Sequence, residues 1–223
     1  MKKIKTALIS VSDKKKLKPL LNALKKNKVK IISSGGTFKE IKRLKFNCIE
    51  VSEFTNSPEI LGGRVKTLHP KIHAGILSKR DNKLHIKDLK INNFENIDLV
   101  IVNFYPFENT LNKKTKHSEI IENIDVGGPT MVRSAAKNYK YVTVITSTNQ
   151  YVELIDEIKK YKGSTSLNFR EKLSRIAFTE TAYYDSIISN YLNSFDHKNF
   201  LEKKVFHGNL VEKLRYGENP HQL

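Results

Sequence analysis

Short apolar runs rich in β-branched residues alternate along the chain with longer segments in which apolar residues return every three or four positions. Residues 4–10, 29–33, 47–51, 99–103 and 141–146 have the first character and predict strands. Between the first two, Leu17, Leu20, Leu21 and Leu24 share one face of a predicted helix. Ser12 stands ahead of it as an N-cap, and Asp13 occupies the first turn, where negative charge suits the dipole. Strands that alternate with amphipathic helices form a parallel sheet with helices on its faces, so the pattern predicts an α/β fold.

The alternation fails over residues 54–80, where Pro58, Gly62, Gly63, Pro70 and Gly75 accumulate and a long irregular segment is predicted. Loops of that length inside a compact domain are usually functional. Helical spacing returns over residues 149–160 and again over 167–192. The second stretch places Leu173, Ile176, Ala177, Thr181, Tyr184, Ile187, Ile188 and Tyr191 on one face, to pack on the sheet domain or on a partner subunit. Residues 194–199 carry no apolar period and read as a linker.

A chain of 223 residues can bury one substantial core. With 39% hydrophobic and 28% charged residues, it is too apolar for a disordered chain and too interrupted for a membrane span. The N-terminal apolar run reaches Ser12, Asp13 and Lys14 before a signal peptide could form, and a cytoplasmic protein is expected. Cys48 is the single cysteine, expected to be a buried structural thiol. The net charge of +17, from 40 basic and 23 acidic residues, would attract nucleic acid, an anionic surface or an anionic small substrate. Runs such as Lys14-Lys15-Lys16 look like a chain-wide lysine bias, so the excess is read as a solvated surface, and nucleic acid is not an expected partner.

Ser10-Val11-Ser12-Asp13-Lys14 follows a strand and leads to a helix, which aims backbone N–H groups, two hydroxyls and an ammonium at one point near the carboxyl edge of the sheet. Taken alone, a capping Ser12 and a solvated Lys14 account for the same residues. Ser33-Ser34-Gly35-Gly36-Thr37 repeats the arrangement, its glycines letting a phosphate approach the backbone. Plain strand-to-helix geometry also uses glycines there, but two such turns on adjacent strands suggest one phosphate pocket.

Arg64, Lys66 and Thr67, on the Gly-rich run Leu61-Gly62-Gly63-Arg64-Val65-Lys66-Thr67-Leu68-His69-Pro70, are donors for a phosphate or an oxyanion. His69 and His73 match no zinc spacing and read as structural; no metal is expected. Asn103 and Tyr105, in Asn103-Phe104-Tyr105-Pro106-Phe107, end the fourth strand at the ligand-binding edge, and Pro106 stops it. Asp125 precedes Gly127, Gly128 and Pro129 at the entrance of a helix predicted over 130–138, with Arg133 and Lys137 towards its end. Asp125 and Lys137 are too far apart for a local helix pair, so any contact between them is tertiary.

The runs Ser-Val-Ser-Asp-Lys, Ser-Gly-Gly-Thr, Gly-Gly-Arg-Val-Lys-Thr-Leu-His-Pro, Asn-Phe-Tyr-Pro-Phe, Asp-Val-Gly-Gly and Arg-Ser-Ala-Ala-Lys-Asn occur in the order found in the IMP cyclohydrolase domain of the bifunctional PurH family. The resemblance covers residues 4 to about 192. It implies a methylglyoxal-synthase-like fold, a doubly wound five-stranded parallel sheet, here with a C-terminal helical extension, and a homodimer. It implies as substrate 5-formamidoimidazole-4-carboxamide ribotide (FAICAR), a phosphorylated purine precursor closed to IMP without a cofactor. Carried over by motif, Lys66, Tyr105, Asp125 and Lys137 are catalytic. Ser10, Ser12, Lys14, Ser34, Gly36, Thr37, Arg64, Thr67, Asn103, Gly127 and Gly128 bind substrate.

Leu214-Arg215-Tyr216-Gly217-Glu218-Asn219-Pro220-His221-Gln222 looks like the opening of the second PurH domain, the AICAR transformylase. Residues 193–223 are then a linker and a truncated start of that domain, and transformylase activity is not expected. Two rivals stand beside this reading. One is a methylglyoxal-synthase-like enzyme, against which the Arg-Val-Lys-Thr-Leu-His-Pro and Asn-Phe-Tyr-Pro-Phe runs argue. The other is a non-catalytic module for a phosphorylated ligand.

Overall fold

The computed structural model describes residues 1–105, 107–111, 116–195 and 202–212. The chain divides into two compact units, Met1–Thr181 and Ala182–Leu223. In the first, β2 (Thr6–Val11), β3 (Lys30–Ser33), β4 (Ile49–Glu50), β5 (Leu99–Asn103) and β6 (Thr143–Ile145) form one sheet in the order β4-β3-β2-β5-β6. Every neighbouring pair is parallel, with Ala7 opposite both Ile31 and Leu99, and Leu99 opposite Thr143. This is the parallel sheet expected from the alternation, in the doubly wound five-stranded form that the resemblance implies. Ala7, Leu8, Ile9, Val100 and Val144 are almost wholly inaccessible, as unbroken apolar runs must be when helices cover both faces.

The chain runs outward from β2 through β3 to β4, then returns to place β5 on the other side of β2. A reversal of this kind leaves a crevice beyond the carboxyl ends of the two central strands, where ligands of open α/β sheets bind. The segments leaving β2 and β5 flank that crevice.

Helix α1 (Leu17–Lys26) buries the four predicted leucines and ends in Lys25 and Lys26, which suit the negative end of its dipole. It corrects one expectation. The helix starts later than Ser12 implied: Lys16 is the N-cap, with φ 57°, and no acidic residue lies in the first turn. The Ser12 hydroxyl instead donates to Asn103 Oδ1 (2.9 Å) and to the Phe104 carbonyl (2.7 Å). Short polar side chains readily trade a cap for such a bond.

A second correction concerns residues 54–80, which hold the end of α3 (Val51–Thr55), a 3-10 turn (Leu61–Gly63) and α4 (Pro70–Leu77). Helix α4 starts on a proline, whose missing N–H costs nothing there, and His69 caps it by accepting from the Lys71 N–H. At eight residues, with only Ile72, Gly75 and Ile76 buried, it is too short to announce itself by period. After α5 (Lys83–Ile91), α6 (Phe107–Leu111) and α7 (His117–Glu122) comes α8 (Gly127–Lys137), which begins three residues before the predicted start because Pro129 is tolerated in a first turn.

The remaining helices follow expectation. Helix α9 (Tyr151–Lys160) buries Leu154 and Ile158, and α10 (Leu167–Asn193) contributes Leu173 and Ala177 to the core. A short antiparallel pair, β1 (Lys2–Lys3) with β7 (Ser164–Thr165), was not predicted. Arg170, almost fully buried, is satisfied by the carbonyls of Tyr139 (2.8 Å), Lys140 (3.0 Å) and Thr165 (2.5 Å). Cys48 is buried as expected, and burial pushes its thiol up to about 12, so it is inert.

In the second unit the His207 ring lies edge-on to Tyr183 at 5.2 Å and bonds Asn190 (3.2 Å), while Asn209 donates to the Tyr183 hydroxyl (2.7 Å). Ser194 and Phe195 close the end of α10; the rest of the predicted linker at 196–199, Pro106, and the run 214–222 lie outside the described residues. Among the described residues no helix is long and apolar enough to cross a membrane.

Candidate active site

Beyond the carboxyl ends of β2 and β5 opens a cleft of about 810 Å³. Every predicted site residue lines it except Lys137. Five segments converge there: the turns after β2 and β3, the loop 61–68, the end of β5, and the junction of α7 with α8.

Asn103 organises the first of these. Its Oδ1 accepts from the Ser12 N–H (2.7 Å), the Ser12 hydroxyl (2.9 Å) and the Asp13 N–H (3.0 Å), and its Nδ2 donates to the Asp13 carbonyl (3.2 Å). The amides of this turn are therefore held by a side chain, not left open for an anion as the sequence suggested. Thr37 closes the second turn on the first, accepting from the Val11 N–H and donating to the Val11 carbonyl, both at 2.9 Å. Its hydroxyl is used up in bracing β2, which leaves to a ligand the unpaired backbone N–H groups that open α2 (Gly35–Arg43). The Lys14 ammonium stands over that helix start, 3.7 Å from where a Cβ on Gly36 would lie, and donates to the Ser12 carbonyl (3.3 Å).

The loop supplies two more cations, and each is paired. Lys66 Nζ lies 2.9 Å from Glu59 Oε1, and Arg64 lies 3.1 Å from Glu122 Oε2, on the last residue of α7. Thr67 is buried beneath them, while Tyr105 stands exposed at the mouth.

Asp125 lies at the junction of α7 with α8, which meets the loop where Arg64 pairs with Glu122 and where a Cβ on Gly127 would collide with Thr67 Oγ1. Asp125 Oδ1 accepts from the Gly128 N–H at 2.8 Å, in the first turn of α8. Burial pushes its carboxyl above the ordinary carboxylate range, and the Gly128 N–H opposes that rise. A Cβ on Gly128 would collide with Asp125 Oδ2, so glycine is what lets the carboxyl fold back over the helix start.

Lys137 is not brought to this cleft. It is the exposed last residue of α8, about 15 Å along the axis from Gly127. His69 and His73 are structural as read: His69 caps α4, and His73 Nδ1 meets Ser134 Oγ at 3.2 Å. Glu59 and Glu122 escaped the sequence reading. Glu122 is 58 positions from Arg64 and no spacing connects them, whereas Glu59 lies in an aperiodic stretch whose only local sign was its place just before the paired glycines.

Chemically, the cleft offers helix-start N–H groups and an ammonium for a phosphate, and beside them a carboxyl of raised proton affinity with an ammonium near it.

The MGS-like domain family matches residues 16–130, and the AICARFT/IMPCHase bienzyme family matches residues 135–223. The bifunctional purine biosynthesis protein PurH of Prochlorococcus marinus subsp. pastoris is 50% identical over 220 residues, covering 97% of this chain and 41% of the relative. That of Thermoanaerobacter sp. is 48% identical over 219 residues, covering 98% and 43%. The chain thus spans about two fifths of the length of the curated relatives it matches. Among solved structures, the crystal structure of ForH superposes with a TM-score of 0.75 at 26% identity, covering 85% of this chain and 99% of that one.

Proposed function

The chain belongs to the MGS-like domain family, and from that membership and its likeness to the PurH proteins we propose that it is an IMP cyclohydrolase, closing FAICAR to IMP with loss of water. The observation that carries the proposal is the meeting of Asp125, Lys66 and a helix-start phosphate seat in one cleft at the sheet's switch point.

A carboxamide nitrogen is a weak nucleophile, so ring closure needs a proton taken from it and charge steadied on the formyl oxygen. In the proposed reaction the carboxamide nitrogen attacks the formyl carbon, forming the C–N bond while its proton passes to Asp125. The formyl π electrons move to oxygen, held by the Lys66 ammonium with the Tyr105 hydroxyl placed beside it. That oxygen is then protonated and leaves as water, as the formamido N–H gives up its proton and the C=N bond forms at that nitrogen, the carboxamide nitrogen keeping its remaining hydrogen. Burial suits Asp125 to this exchange, because it raises the carboxyl's proton affinity and so makes it a better acceptor for the carboxamide proton.

Lys14 and the α2 start hold the phosphate in this reading, with Ser10, Ser12, Ser34, Gly36, Thr37, Asn103 and Thr67 building the phosphate and ribose cradle. Arg64, Gly127 and Gly128 complete the binding surface. Lys137 is assigned to proton transfer beside Asp125. Because it is exposed and away from this chain's own cleft, we assign its delivery to a second copy, in line with the homodimer that the resemblance implies. We place the protein in the cytoplasm, and assign residues 214–222 to the opening of a transformylase domain.

The test is ultraviolet absorbance during incubation of the purified chain with FAICAR, without metal or folate, comparing wild type with Asp125→Asn. The wild type should form IMP and the variant should lose about 10²–10⁴ in rate while still folding. If neither forms IMP although both bind the ribotide, the phosphorylated-ligand module replaces this reading.

A further inference from the structure

Lys66 carries a flexible four-carbon stem, yet its ammonium occupies a defined place between the Gly35 backbone and a carboxylate. On one side is Gly35, where a Cβ would lie 3.0 Å from Nζ; on the other is the Glu59 carboxylate, 2.9 Å away. Among the described residues Glu59 is the carboxylate that pairs with Lys66. Glu50, which lines the same small cavity of about 40 Å³ behind Lys66, makes no ion pair with it.

The chain around Glu59 is shaped to hold it there. A turn closes from Ile60 to Gly63 through the Gly63 N–H and the Ile60 carbonyl (3.0 Å), doubling the backbone back over the Glu59 side chain. Gly63, at φ 93°, is where this folding-back meets the carboxylate: a Cβ there would collide with Oε1 and sit 3.3 Å from Cδ. A backbone angle that favours glycine and a side chain that excludes a Cβ coincide at one residue. The pair itself is half open, with side-chain exposures of 23% for Lys66 and 43% for Glu59, and pairs of that kind add little to stability. What Glu59 supplies is therefore placement.

We propose that Glu59 is a positioning residue that fixes the Lys66 ammonium over Gly35 for its work in the cleft, an inference that rests on the cyclohydrolase reading above. A free lysine samples many rotamers, and a donor displaced by about 1 Å from a developing charge can cost on the order of 10² in rate. Glu59 does not touch the substrate in this scheme. Its effect passes entirely through Lys66.

The experiment compares Glu59→Gln, Glu59→Ala, Lys66→Ala and the double alanine variant by kcat and KM for FAICAR, with thermal unfolding as the control for folding. The expected result is a fall in kcat of about 10-fold for Glu59→Gln and about 10²-fold for Glu59→Ala, with KM within about threefold and the thermal midpoint within a few degrees. The double variant should match Lys66→Ala. A kcat for Glu59→Ala within twofold of wild type overturns the proposal, as does a Glu59→Ala loss that persists in the Lys66→Ala background. A second arm needs no turnover: trinitrobenzenesulfonate labelling of Lys66, followed by peptide mass spectrometry, should run several-fold faster in Glu59→Ala, because an ion-paired amine is slow to react. Equal labelling refutes the positioning role. A wild type without turnover would sink the cyclohydrolase reading alone, and labelling would still judge Glu59.

Discussion

Replacing Gly128 with alanine separates the placement of the Asp125 carboxyl from its presence. The three atoms nearest to a Cβ at this position all belong to Asp125: Oδ2 in direct collision, Cγ at 2.9 Å and Oδ1 at 3.1 Å. The carboxyl must therefore swing away, and the 2.8 Å bond from the Gly128 N–H goes with it. Losing that charge-assisted bond costs about 1.5–3 kcal/mol, while alanine in place of glycine within a helix returns about 1 kcal/mol. Stability should thus fall by no more than about 2 kcal/mol. Activity should fall much further, because acid/base catalysis contributes about 10²–10⁴ and depends on the carboxyl reaching the carboxamide nitrogen. The assay is the initial rate of IMP formation by absorbance, with kcat and KM resolved and urea unfolding run in parallel. The variant should lose at least about 10² in kcat with KM changed only a few-fold. A folded Gly128→Ala protein that keeps kcat within about fivefold of wild type would remove Asp125, in the position seen here, from the chemistry.

Two further outcomes test the frame around the site. His73 is held below its ordinary value of 6.5 by burial, with the Thr67 carbonyl opposing, so the unfolded chain binds the proton more readily than the folded one. Stability is then whole above about pH 6.5 and declines as the pH falls towards the lowered folded value, by at most about 1.4 kcal/mol per pH unit; His73→Gln should flatten that decline in urea titrations from pH 7.5 to 5, and parallel curves would contradict it. Asn103→Ala strips the acceptor from two backbone N–H groups and the Ser12 hydroxyl, and should cost about 1–3 kcal/mol in unfolding while raising KM; unchanged stability would show that water replaces the side chain at that turn.

How far the sequence foretold this structure depends on how local the signal was. The five parallel strands were legible because each lies in a short apolar run rich in β-branched residues, least clearly for β4, where only Ile49–Glu50 pairs and Val51 starts α3, and the leucines of α1 because one face holds all four. Helix α4 was hidden because its proline start and eight-residue length leave no period to detect. Ser12 misled for a different reason. A serine beyond a strand is a good cap by composition, but its partner proved to be Asn103, 91 residues away, and no local rule encodes that choice. The site residues were legible as donor types on glycine-rich turns; their pairing with Glu59 and Glu122 was not, because ion pairs across loops leave no spacing. Lys137 shows the limit from the other side. Its motif resembles that of a catalytic lysine but carries no location, and within one chain the geometry of α8 sets it away from the cleft.

The pairing pattern also decides how a ligand would lie. Of the three cations lining the cleft, Arg64 and Lys66 already face carboxylates, whereas Lys14 makes no ion pair among the described residues and donates only to the Ser12 carbonyl. A phosphate therefore gains most at Lys14, where it need displace no carboxylate and meets the open N–H groups of α2. Seated there, it lies at Gly36, with Lys66 one residue away over Gly35 and Asp125 elsewhere on the lining of the same cleft. In the reading proposed above, the rest of the ligand extends from the phosphate towards Asp125. That order, anion seat, ammonium and then half-buried carboxyl, suits the ring closure proposed above. The proposed reading accordingly gives Lys66 to the chemistry and the phosphate to Lys14.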